Sequence, residues 1–445
     1  MKGRSREFAL TLLQEIQRGK KSSSAIDHLL QLQKDLRSED RALITEFIYG
    51  VLRWQGKLDT LIERFSKVSH QKISPLILDV LRLGVYQLLF LDRIPEYAAI
   101  YETVSLAKKS GEKRASGFVN AVLRNVQKQK RSILEESQNF LKVGKLSSKN
   151  ISFELSHPKW LVKLWASEFG LEKALKICQF NNTIAPLTLR VNTMKITREE
   201  MLSKMGESTS YSPFGVLIAG GALRELSGFQ EGYFQVQDEA SQLVGLAVAP
   251  KEGERILDVC AAPGGKTTHL AELMKDRGEV IAIDRDEKRV SQLKENLQRL
   301  GLKSTQVIQA DFLKFDSEKL FDRILVDAPC SSLGVLRRRP EAKWNKKESQ
   351  ILEFPRLQFN LLKKALSLLK PGGVLVYSVC TFTAEETKEV VDLFLEKNSS
   401  VNLDTLVSYL PKSCEKFIKK EGFFLVLPGE SSMDGFFISR FIKEK

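Results

Sequence analysis

The sequence predicts a multidomain protein that combines an all-α N-terminal region with a C-terminal α/β region. Three observations support this prediction. The chain has 445 residues, enough for two or three domains at roughly 100 to 200 residues each. Apolar residues recur at helical spacing from Arg6 to about Asn125, whereas beyond Glu254 short apolar runs alternate with helical patterns. Alternating strands and helices favour right-handed crossovers and a mostly parallel, doubly wound sheet.

The composition excludes several classes of protein. Hydrophobic residues make up 42% of the chain and charged residues 28%, and no apolar run approaches the roughly 20 residues that cross a bilayer. Residues 1–6 lead into the chain without the apolar core or cleavage site of a signal peptide. We therefore expect a cytoplasmic protein with no membrane partner. The five cysteines form no C-x-x-C pair and the four histidines no H-x-x-x-H pair, so we expect no metal site.

The net charge is unevenly distributed along the chain. Of the formal charge of +14, residues 1–150 contribute 27 Lys and Arg against 16 Asp and Glu, a surplus of 11. A compact basic region attracts phosphate groups and makes affinity depend on salt. A basic surface that only improves solubility is the alternative, because an excess of positive charge alone gives no specificity for a nucleic-acid sequence.

Local signals divide the chain into four regions. Ser74 and Pro75 predict the start of one helix, and Ser38 or Asp40 the cap of another. Residues 127–150 are polar and rich in Lys and Ser, which is typical of a linker. The predicted order is a helical domain over 1–126, this linker, a small α/β segment over 151–245 and the main α/β domain over 246–445.

The main α/β domain contains five short apolar runs that predict parallel strands. These runs are 255–259, 280–284, 305–310, 323–327 and 374–378. Two later runs, 423–427 and 436–441, have no helix between them. We expect them to pair as an antiparallel hairpin at the sheet edge.

The residues after the first of these strands form a candidate cofactor site, because open α/β sheets bind ligands at the carboxyl ends of their strands. They are Cys260, Ala261, Ala262, Pro263, Gly264, Gly265 and Lys266. A P-loop would need a glycine where Cys260 stands, and the two adjacent glycines lack the spacing of a dinucleotide fingerprint.

Two acids at later strand ends suit a nucleoside. Asp284 lies 20 residues after Gly264, where an acid can bind ribose hydroxyls. Asp311 follows the third strand and would accept a hydrogen bond from an adenine amino group. A small-residue turn with two such acids and no phosphate loop predicts S-adenosylmethionine as cofactor. Ordinary βα turns and helix caps are the alternative.

Two cysteines follow the fourth and fifth strands. Cys330 and Cys380 would therefore meet at the edge that holds the cofactor, whereas Cys178, Cys260 and Cys414 are most simply inert buried thiols. A thiolate at this edge has a clear use. When it adds to C6 of cytosine, C5 becomes nucleophilic enough to attack a sulfonium methyl group, and the covalent intermediate divides the barrier.

Asp327 ends the fourth strand, three residues before Cys330. We expect its carboxylate to hydrogen-bond N3 or N4 of the cytosine and to hold the ring as charge develops. The thiolate itself would be favoured by nearby lysines and by a helix N-terminus.

Several stretches of the chain resemble known families. Three of them resemble the NusB-like helical RNA-binding domain: LRLGVYQLL at 81–89, ETVSLAK at 102–108 and FVNAVLR at 118–124. Three others resemble RNA cytosine-C5 methyltransferases: CAAPGGK at 260–266, DAPCS at 327–331 and YSVCT at 377–381. With HPKWL at 157–161 and DGFF at 434–437, the whole chain resembles the RsmB (Sun/Fmu) family of 16S rRNA (cytosine-C5) methyltransferases.

This resemblance implies a Rossmann-like class I methyltransferase fold, with a mostly parallel seven-stranded sheet and an antiparallel edge hairpin. It implies that Cys380 is the nucleophile and that Cys330 assists product release, a ranking that the residues alone do not supply. Val379 stands where the family often has Thr. The implied cofactor contacts are 260–266, Asp284, Asp311 and Asp327, with Lys266 also a possible ligand for cytosine or for the carboxylate of the methyl donor.

A basic stretch follows Cys330. It contains Arg337, Arg338, Arg339, Lys343 and Trp344. Such a loop would bind phosphates and stack on a base, and a solvated charged loop is the alternative. Because C5 and C6 are reachable only in an unstacked base, we expect a flipped or single-stranded cytosine.

We therefore expect a monomeric enzyme that methylates one cytosine of 16S rRNA, free or in an incompletely assembled small subunit. A sister enzyme that modifies tRNA or another rRNA site is the first alternative, and the NusB-like region argues against it. A noncatalytic RNA-binding or antitermination factor is the second alternative. The presence of both Cys330 and Cys380 argues against that one.

Overall fold

The computed structural model describes residues 4–33, 35–140, 146–219 and 226–445. The chain forms two compact units. The first, here called the helical unit, comprises Met1–Thr183 together with Leu336–Lys347. The second, here called the sheet unit, comprises Ile184–Val335 together with Glu348–Lys445. Residues 336–347, here called the inserted segment, thus separate the two parts of the sheet unit in the sequence.

The first 183 residues of the helical unit are helical where they are described. Their α-helices are α1 (Arg4–Gln17), α2 (Ser22–Leu32), α3 (Ser38–Ser66), α4 (Pro75–Phe90), α5 (Glu96–Lys109), α6 (Ser116–Phe140), α7 (Ser148–Glu154), α8 (Lys159–Phe169) and α9 (Leu171–Asn181). The central helix α4 begins as predicted, with Pro75 in its first turn and the Ser74 side chain accepting from the amide of Ile77. Gly84 lets α4 approach α6, since a Cβ there would lie 2.7 Å from Cδ2 of Leu123.

Two predictions for this region differ from the structure. Helix α6 continues to Phe140, so most of the linker expected over 127–150 is helical. Its sequence is polar because one face is exposed, and polarity alone does not indicate irregular backbone. Helix α3 begins at Ser38 after an Arg37 whose side chain makes no cap, while Asp40 accepts from the Ser5 hydroxyl instead.

The sheet unit contains the strands of the molecule. They are β1 (Leu187–Val191), β2 (Glu207–Ser208), β3 (Gly215–Ile218), β4 (Phe234–Val236), β5 (Arg255–Val259), β6 (Glu279–Asp284), β7 (Thr305–Gln309), β8 (Phe321–Asp327), β9 (Leu369–Val379), β10 (Val401–Asp404), β11 (Phe424–Val426) and β12 (Phe436–Lys443). The remaining α-helices are α10 (Arg198–Lys204), α11 (Glu239–Val248), α12 (Gly265–Leu273), α13 (Glu287–Leu300), α14 (Ala342–Asn345, in the inserted segment), α15 (Glu348–Ile351), α16 (Phe354–Leu368) and α17 (Lys388–Lys397).

The large sheet has the strand order β10-β12-β9-β8-β5-β6-β7, with β11 paired to β12. Strands β5 to β9 are parallel, as predicted. Successive residues of β5, such as Ile256 and Leu257, enter different apolar clusters, so both faces of the sheet are covered. The strand order reverses between β5 and β8, and this reversal opens a crevice at the carboxyl ends of those two strands.

The antiparallel pairing of the last two strands is confirmed, because Leu425 lies opposite Phe437. The edge itself is formed by β10, which pairs with β12 and was not predicted. A smaller antiparallel sheet with the order β2-β3-β1-β4 precedes the large one. None of the described helices combines the length and apolar character that a bilayer crossing requires.

Candidate active site

The crevice between β5 and β8 is bordered by the turn that follows β5. Two residues of this turn have left-handed backbone, Cys260 at φ 62° and Gly264 at φ 97°. Gly264 has no room for a side chain, since a Cβ would lie 2.2 Å from Cδ1 of Leu293. The turn leads directly into α12, so the N-terminus of that helix, whose first amides have no partner within the helix, follows the carboxyl end of β5.

Asp284 at the end of β6 holds the turn in place. Its side chain is almost fully buried and accepts from the amide of Ala262 at 3.1 Å. Arg289 forms an ion pair with Asp284 at 3.3 Å and also donates to the carbonyl of Ala262. Asp311, the second acid predicted to bind the cofactor, lies after β7 and is exposed. It caps a short 3-10 turn by accepting from the amide of Leu313.

This set of groups fits S-adenosylmethionine. The turn is closely packed at a glycine with no room for a Cβ, and Asp284 and Asp311 offer oxygen acceptors at two neighbouring strand ends. Lys266 adds a cation for a carboxylate. Within the described ranges, no three His, Cys, Asp or Glu side chains gather as a metal-binding group.

A polar chain links three of the strand ends. The ammonium of Lys266 lies 2.7 Å from one oxygen of Asp327. The other Asp327 oxygen accepts from the hydroxyl of Ser378 at 2.9 Å. Lys266 also lies over the ring of Phe436, 5.4 Å from its centroid. The β5 turn, β8 and β9 are thereby fastened together by side chains that face the crevice.

The two candidate thiols are in direct contact. The sulfurs of Cys330 and Cys380 lie 3.2 Å apart, and the Ser332 hydroxyl is 3.5 Å from the Cys380 sulfur. The hydrogen bond with Cys380 and burial raise the pKa of the Cys330 thiol well above its usual range. The raised pKa favours the protonated form of Cys330, and in the contact between the two sulfurs either thiol can be the donor.

Residues outside the predicted set hold the loop that carries Cys330. The buried carboxylate of Glu386 accepts from the amide of Ser331 at 2.9 Å and from the side chain of Gln358 at 3.0 Å. Gly334 donates its amide to the carbonyl of Cys380. A Cβ at Gly334 would lie 1.9 Å from the carbonyl oxygen of Gly435. The family resemblance of the DGFF stretch at 434–437 points to a role for Gly435, whereas no sequence pattern indicates the role of Glu386.

Arg190 of β1 was also missed. Its guanidinium is fully buried and donates to both carboxylate oxygens of Glu272, at 2.8 and 3.2 Å. It also donates to the Thr268 hydroxyl at 2.9 Å, to the Gln237 side chain and to the carbonyl of Gly265. Arg190 thus fastens the first turn of α12, which continues the candidate cofactor turn.

Comparison with known proteins identifies the family. The model of the family described as 16S rRNA methyltransferase RsmB/F matches residues 245–442. The NusB family matches residues 3–128, and the RsmF/B-like ferredoxin-like domain matches 157–211. The probable ribosomal RNA small subunit methyltransferase B of Bacillus subtilis (strain 168) is 37% identical over 97% of each chain. The ribosomal RNA small subunit methyltransferase B of Escherichia coli O1:K1 / APEC is 35% identical over 93% of each chain.

The chain belongs to the RsmB/F methyltransferase family. This confirms the resemblance seen in the sequence and makes the protein a member of an S-adenosylmethionine-dependent family. Among solved structures, that of PH0851 is 25% identical, covers 100% of this chain and 99% of its own, and gives a TM-score of 0.84. NSun6 from Pyrococcus horikoshii with SFG is 26% identical, covers 65% of this chain and 98% of its own, and gives a TM-score of 0.59.

The basic stretch of this RsmB/F-family chain does not form the exposed loop that we expected. Lys343 is fully buried in the helical unit, where its ammonium donates to the carbonyls of Arg53 at 2.7 Å and Ser156 at 3.0 Å. Burial lowers the pKa of Lys343 well below its usual range. The indole of Trp344 donates to the carbonyl of Leu52 at 2.6 Å.

The three arginines of the stretch differ from one another. Arg337 is buried and its guanidinium lies over the ring of Phe180, 4.2 Å from the centroid. Arg338 is partly exposed and Arg339 is exposed. Of the predicted RNA contacts, Arg339 is therefore exposed, Arg338 and Trp344 are partly exposed, and Arg337 and Lys343 are buried. Spacing and charge could not distinguish the exposed residues from the buried ones.

The other cysteines behave as expected for structural thiols. Cys178 and Cys414 are fully buried, and burial raises the pKa of each. Cys260 in the cofactor turn is partly exposed, and burial together with Asp284 and other acids raises its pKa to about 12. None of these three thiols is set up as a nucleophile at neutral pH.

Proposed function

We propose that this protein transfers the methyl group of S-adenosylmethionine to C5 of a cytosine in 16S rRNA through a covalent bond between Cys380 and C6. The observation that carries the proposal is the contact between Cys330 and Cys380 at the carboxyl ends of β8 and β9, beside the cofactor turn. The choice of small-subunit rRNA as substrate is supported by the names of the relatives from B. subtilis and E. coli, which are ribosomal RNA small subunit methyltransferases.

The reaction begins when the Cys380 sulfur adds to C6 of the cytosine. Addition breaks the aromatic system of the ring and places electron density on C5, which then accepts the methyl group. The bound S-adenosylmethionine supplies that methyl group as an electrophile. A base next removes the C5 proton, the C5–C6 double bond forms again, and the sulfur leaves as a thiolate.

Asp327 orients the cytosine in this scheme. Its carboxylate is partly exposed at the crevice and is held on one side by Lys266 and on the other by Ser378. A carboxylate fixed from two sides keeps its direction when it accepts from the N4 amino group of the base or binds a protonated N3. Such preorganisation stabilises charge that develops in the transition state.

Cys330 assists release of the methylated product. Its raised pKa means that it is a thiol while Cys380 acts as the nucleophile. A protonated neighbour 3.2 Å away can donate a hydrogen bond to the Cys380 sulfur as that sulfur leaves C6. The ranking of the two thiols follows the family resemblance, and the raised pKa of Cys330 supports it.

The substrate must present an unstacked cytosine, because the thiol reaches C6 only when the base leaves its stack. Free or partly assembled small-subunit RNA in the cytoplasm offers such bases, and we propose that the protein acts there as a monomer. Basic residues of the NusB-like region supply phosphate contacts. A tRNA substrate is the alternative of the same class, and noncatalytic RNA binding the alternative of another class.

Bisulfite mapping of ribosomal RNA tests the proposal. A strain that lacks this gene should lose one protected cytosine in its 16S rRNA, and a plasmid copy of the gene should restore it. Loss of a protected cytosine in tRNA alone would show that the substrate is tRNA and not 16S rRNA. A new methyl group on a nitrogen or oxygen of the RNA would overturn the mechanism, and an unchanged methylation pattern would favour the noncatalytic alternative.

A further inference from the structure

The pair formed by Cys330 and Cys380 has a second chemical capacity. Their sulfurs are 3.2 Å apart as reduced thiols. A disulfide bond is about 2.05 Å long, so the two atoms need to approach by only about 1.2 Å to bond.

The approach of the two thiols is fixed by the backbone. Asp327 of β8 lies opposite Ser378 of β9 in a parallel ladder. The amide of Ala328 donates to the carbonyl of Ser378 at 3.0 Å, and that of Gly334 to the carbonyl of Cys380 at 3.0 Å. The chain on both sides of Cys330 is therefore tied to the segment that ends in Cys380, so the backbones that carry the two thiols are held side by side.

The remaining thiols do not compete for an oxidant. Cys178 and Cys414 are 0% exposed, and Cys260 lies in the turn after β5, whereas Cys330 and Cys380 follow the paired strands β8 and β9. Cys330 and Cys380 are both partly exposed. Oxidation of a thiol requires access to the oxidant, and the sulfurs of the partly exposed Cys330 and Cys380 lie in direct contact.

We propose that Cys330 and Cys380 form a reversible disulfide when the protein meets hydrogen peroxide, and that this bond blocks methyl transfer. The block on methyl transfer rests on the proposed function, because it removes the thiolate that would attack C6. The bond itself does not depend on that function. Disulfides of proteins in reducing compartments are typically transient and redox-sensing.

The reaction balances in two steps. The Cys380 sulfur attacks one oxygen of the peroxide, the O–O bond breaks, and the released hydroxide takes a proton to form water, which leaves a sulfenic acid. The Cys330 sulfur then attacks the Cys380 sulfur, the S–O bond breaks, and the second oxygen leaves as water with the proton of Cys330. Two thiols are oxidised, the peroxide is reduced, and an added dithiol reverses the bond by exchange.

Thiol counting on the full-length protein tests the proposal. The chain has five cysteines. After exposure to hydrogen peroxide and removal of the excess, thiol titration in denaturant should fall from five groups to three, and dithiothreitol should restore five. A non-reduced digest should contain one peptide that joins Cys330 to Cys380 and is lighter than its two parts by two hydrogen atoms.

Variants make the assignment specific. Cys330→Ala and Cys380→Ala should each abolish the joined peptide, whereas Cys260→Ala should retain it. A count that stays at five, a sulfinic acid at Cys380 without any joined peptide, or a bond to Cys260 would overturn the proposal. Because mass and thiol count do not require methyl transfer, these outcomes are independent of the bisulfite result. Full methyl transfer by the cross-linked protein would refute only the regulatory part.

Discussion

The Lys266 ammonium lies 2.7 Å from the Asp327 carboxylate and joins the turn after β5 to the end of β8. These two strands border the crevice where the strand order of the sheet reverses. The ion pair therefore connects the candidate cofactor turn to the residue proposed to hold the cytosine. A change in either partner is expected to affect the alignment of methyl donor and base.

Replacing Asp327 should impair chemistry more than folding. Asp327→Asn replaces one carboxylate oxygen with an amide group and removes the negative charge that faces Lys266 and the base, and we expect single-turnover methyl transfer to slow by about 100-fold. The Lys266–Asp327 pair is partly exposed, with 12% and 29% of the two side chains accessible. The free energy of unfolding should therefore change by no more than about 1 kcal/mol. Asp322 pairs with Lys370 at 2.7 Å at the other end of β8. Asp322→Asn is the matched control and should leave the rate unchanged.

The two thiols should give opposite trapping results. Cys380→Ala should abolish methyl transfer and form no adduct, because no sulfur can add to C6. Cys330→Ala should accumulate a protein–RNA adduct that survives denaturing electrophoresis, because release is slowed. An adduct seen with Cys380→Ala and not with Cys330→Ala would reverse the two roles. Activity that survives loss of both thiols would exclude covalent catalysis.

Arg190 should act as a positioning residue for the cofactor turn. Arg190→Met leaves the buried Glu272 carboxylate without its counter-charge, which costs about 3 to 5 kcal/mol. The double variant Arg190→Met/Glu272→Leu should recover most of this stability because neither charge remains. If the guanidinium also orients the turn through the Gly265 carbonyl, the double variant should still bind S-adenosylmethionine at least tenfold more weakly in calorimetry. Equal affinity in a stable double variant would show a purely structural role.

Stability should fall as pH rises from 3.8 toward about 7 because of Asp258. Burial raises its pKa to about 7, against an ordinary value of 3.8. The folded state therefore binds more protons than the unfolded state between these two values, so the stabilisation is complete below pH 3.8 and is lost as pH approaches 7. Asp258 lies under the cofactor turn and accepts from the Thr267 hydroxyl at 2.6 Å. The free energy of unfolding, measured in denaturant from pH 5 to 8, should depend less steeply on pH in Asp258→Asn than in the wild type. Equal slopes of free energy against pH in the two proteins would contradict the assignment.

Arg339 and Lys343 should separate RNA binding from folding. Arg339→Ala should weaken RNA binding and reduce its salt dependence with no change in Tm, because the side chain is exposed. Lys343→Met should lower Tm instead, since each buried acceptor left unpaired costs roughly 1 to 3 kcal/mol. RNA affinity measured at temperatures where both variants are folded should fall only for Arg339→Ala. Removal of residues 1–125 is a poorer test, because it also removes the partners of Lys343 and Trp344.

The sequence predicts well the parallel strands and the meeting of Cys330 and Cys380 at their carboxyl ends. Continuous apolar runs such as 255–259 are the signature of strands buried on both faces, and topology then brings Cys330 and Cys380 to one edge. The failures have a common cause. Helix α6 shows that a polar stretch of sequence need not have irregular backbone. Lys343 shows that a charged residue need not be exposed when a distant segment supplies its hydrogen-bond acceptors. Arg190 and Glu386 escaped prediction for the same reason.

The inserted segment has a consequence for biosynthesis. The helical unit is encoded by residues up to Thr183 and is completed only by Leu336–Lys347. At about 5 to 20 residues per second, the ribosome needs roughly 10 to 30 s to supply the 164 residues between Thr183 and Lys347. During this interval the nascent helices display backbone carbonyls at Leu52, Arg53 and Ser156 that await the side chains of Lys343 and Trp344. The helical unit is thus complete only after the middle of the message has been translated.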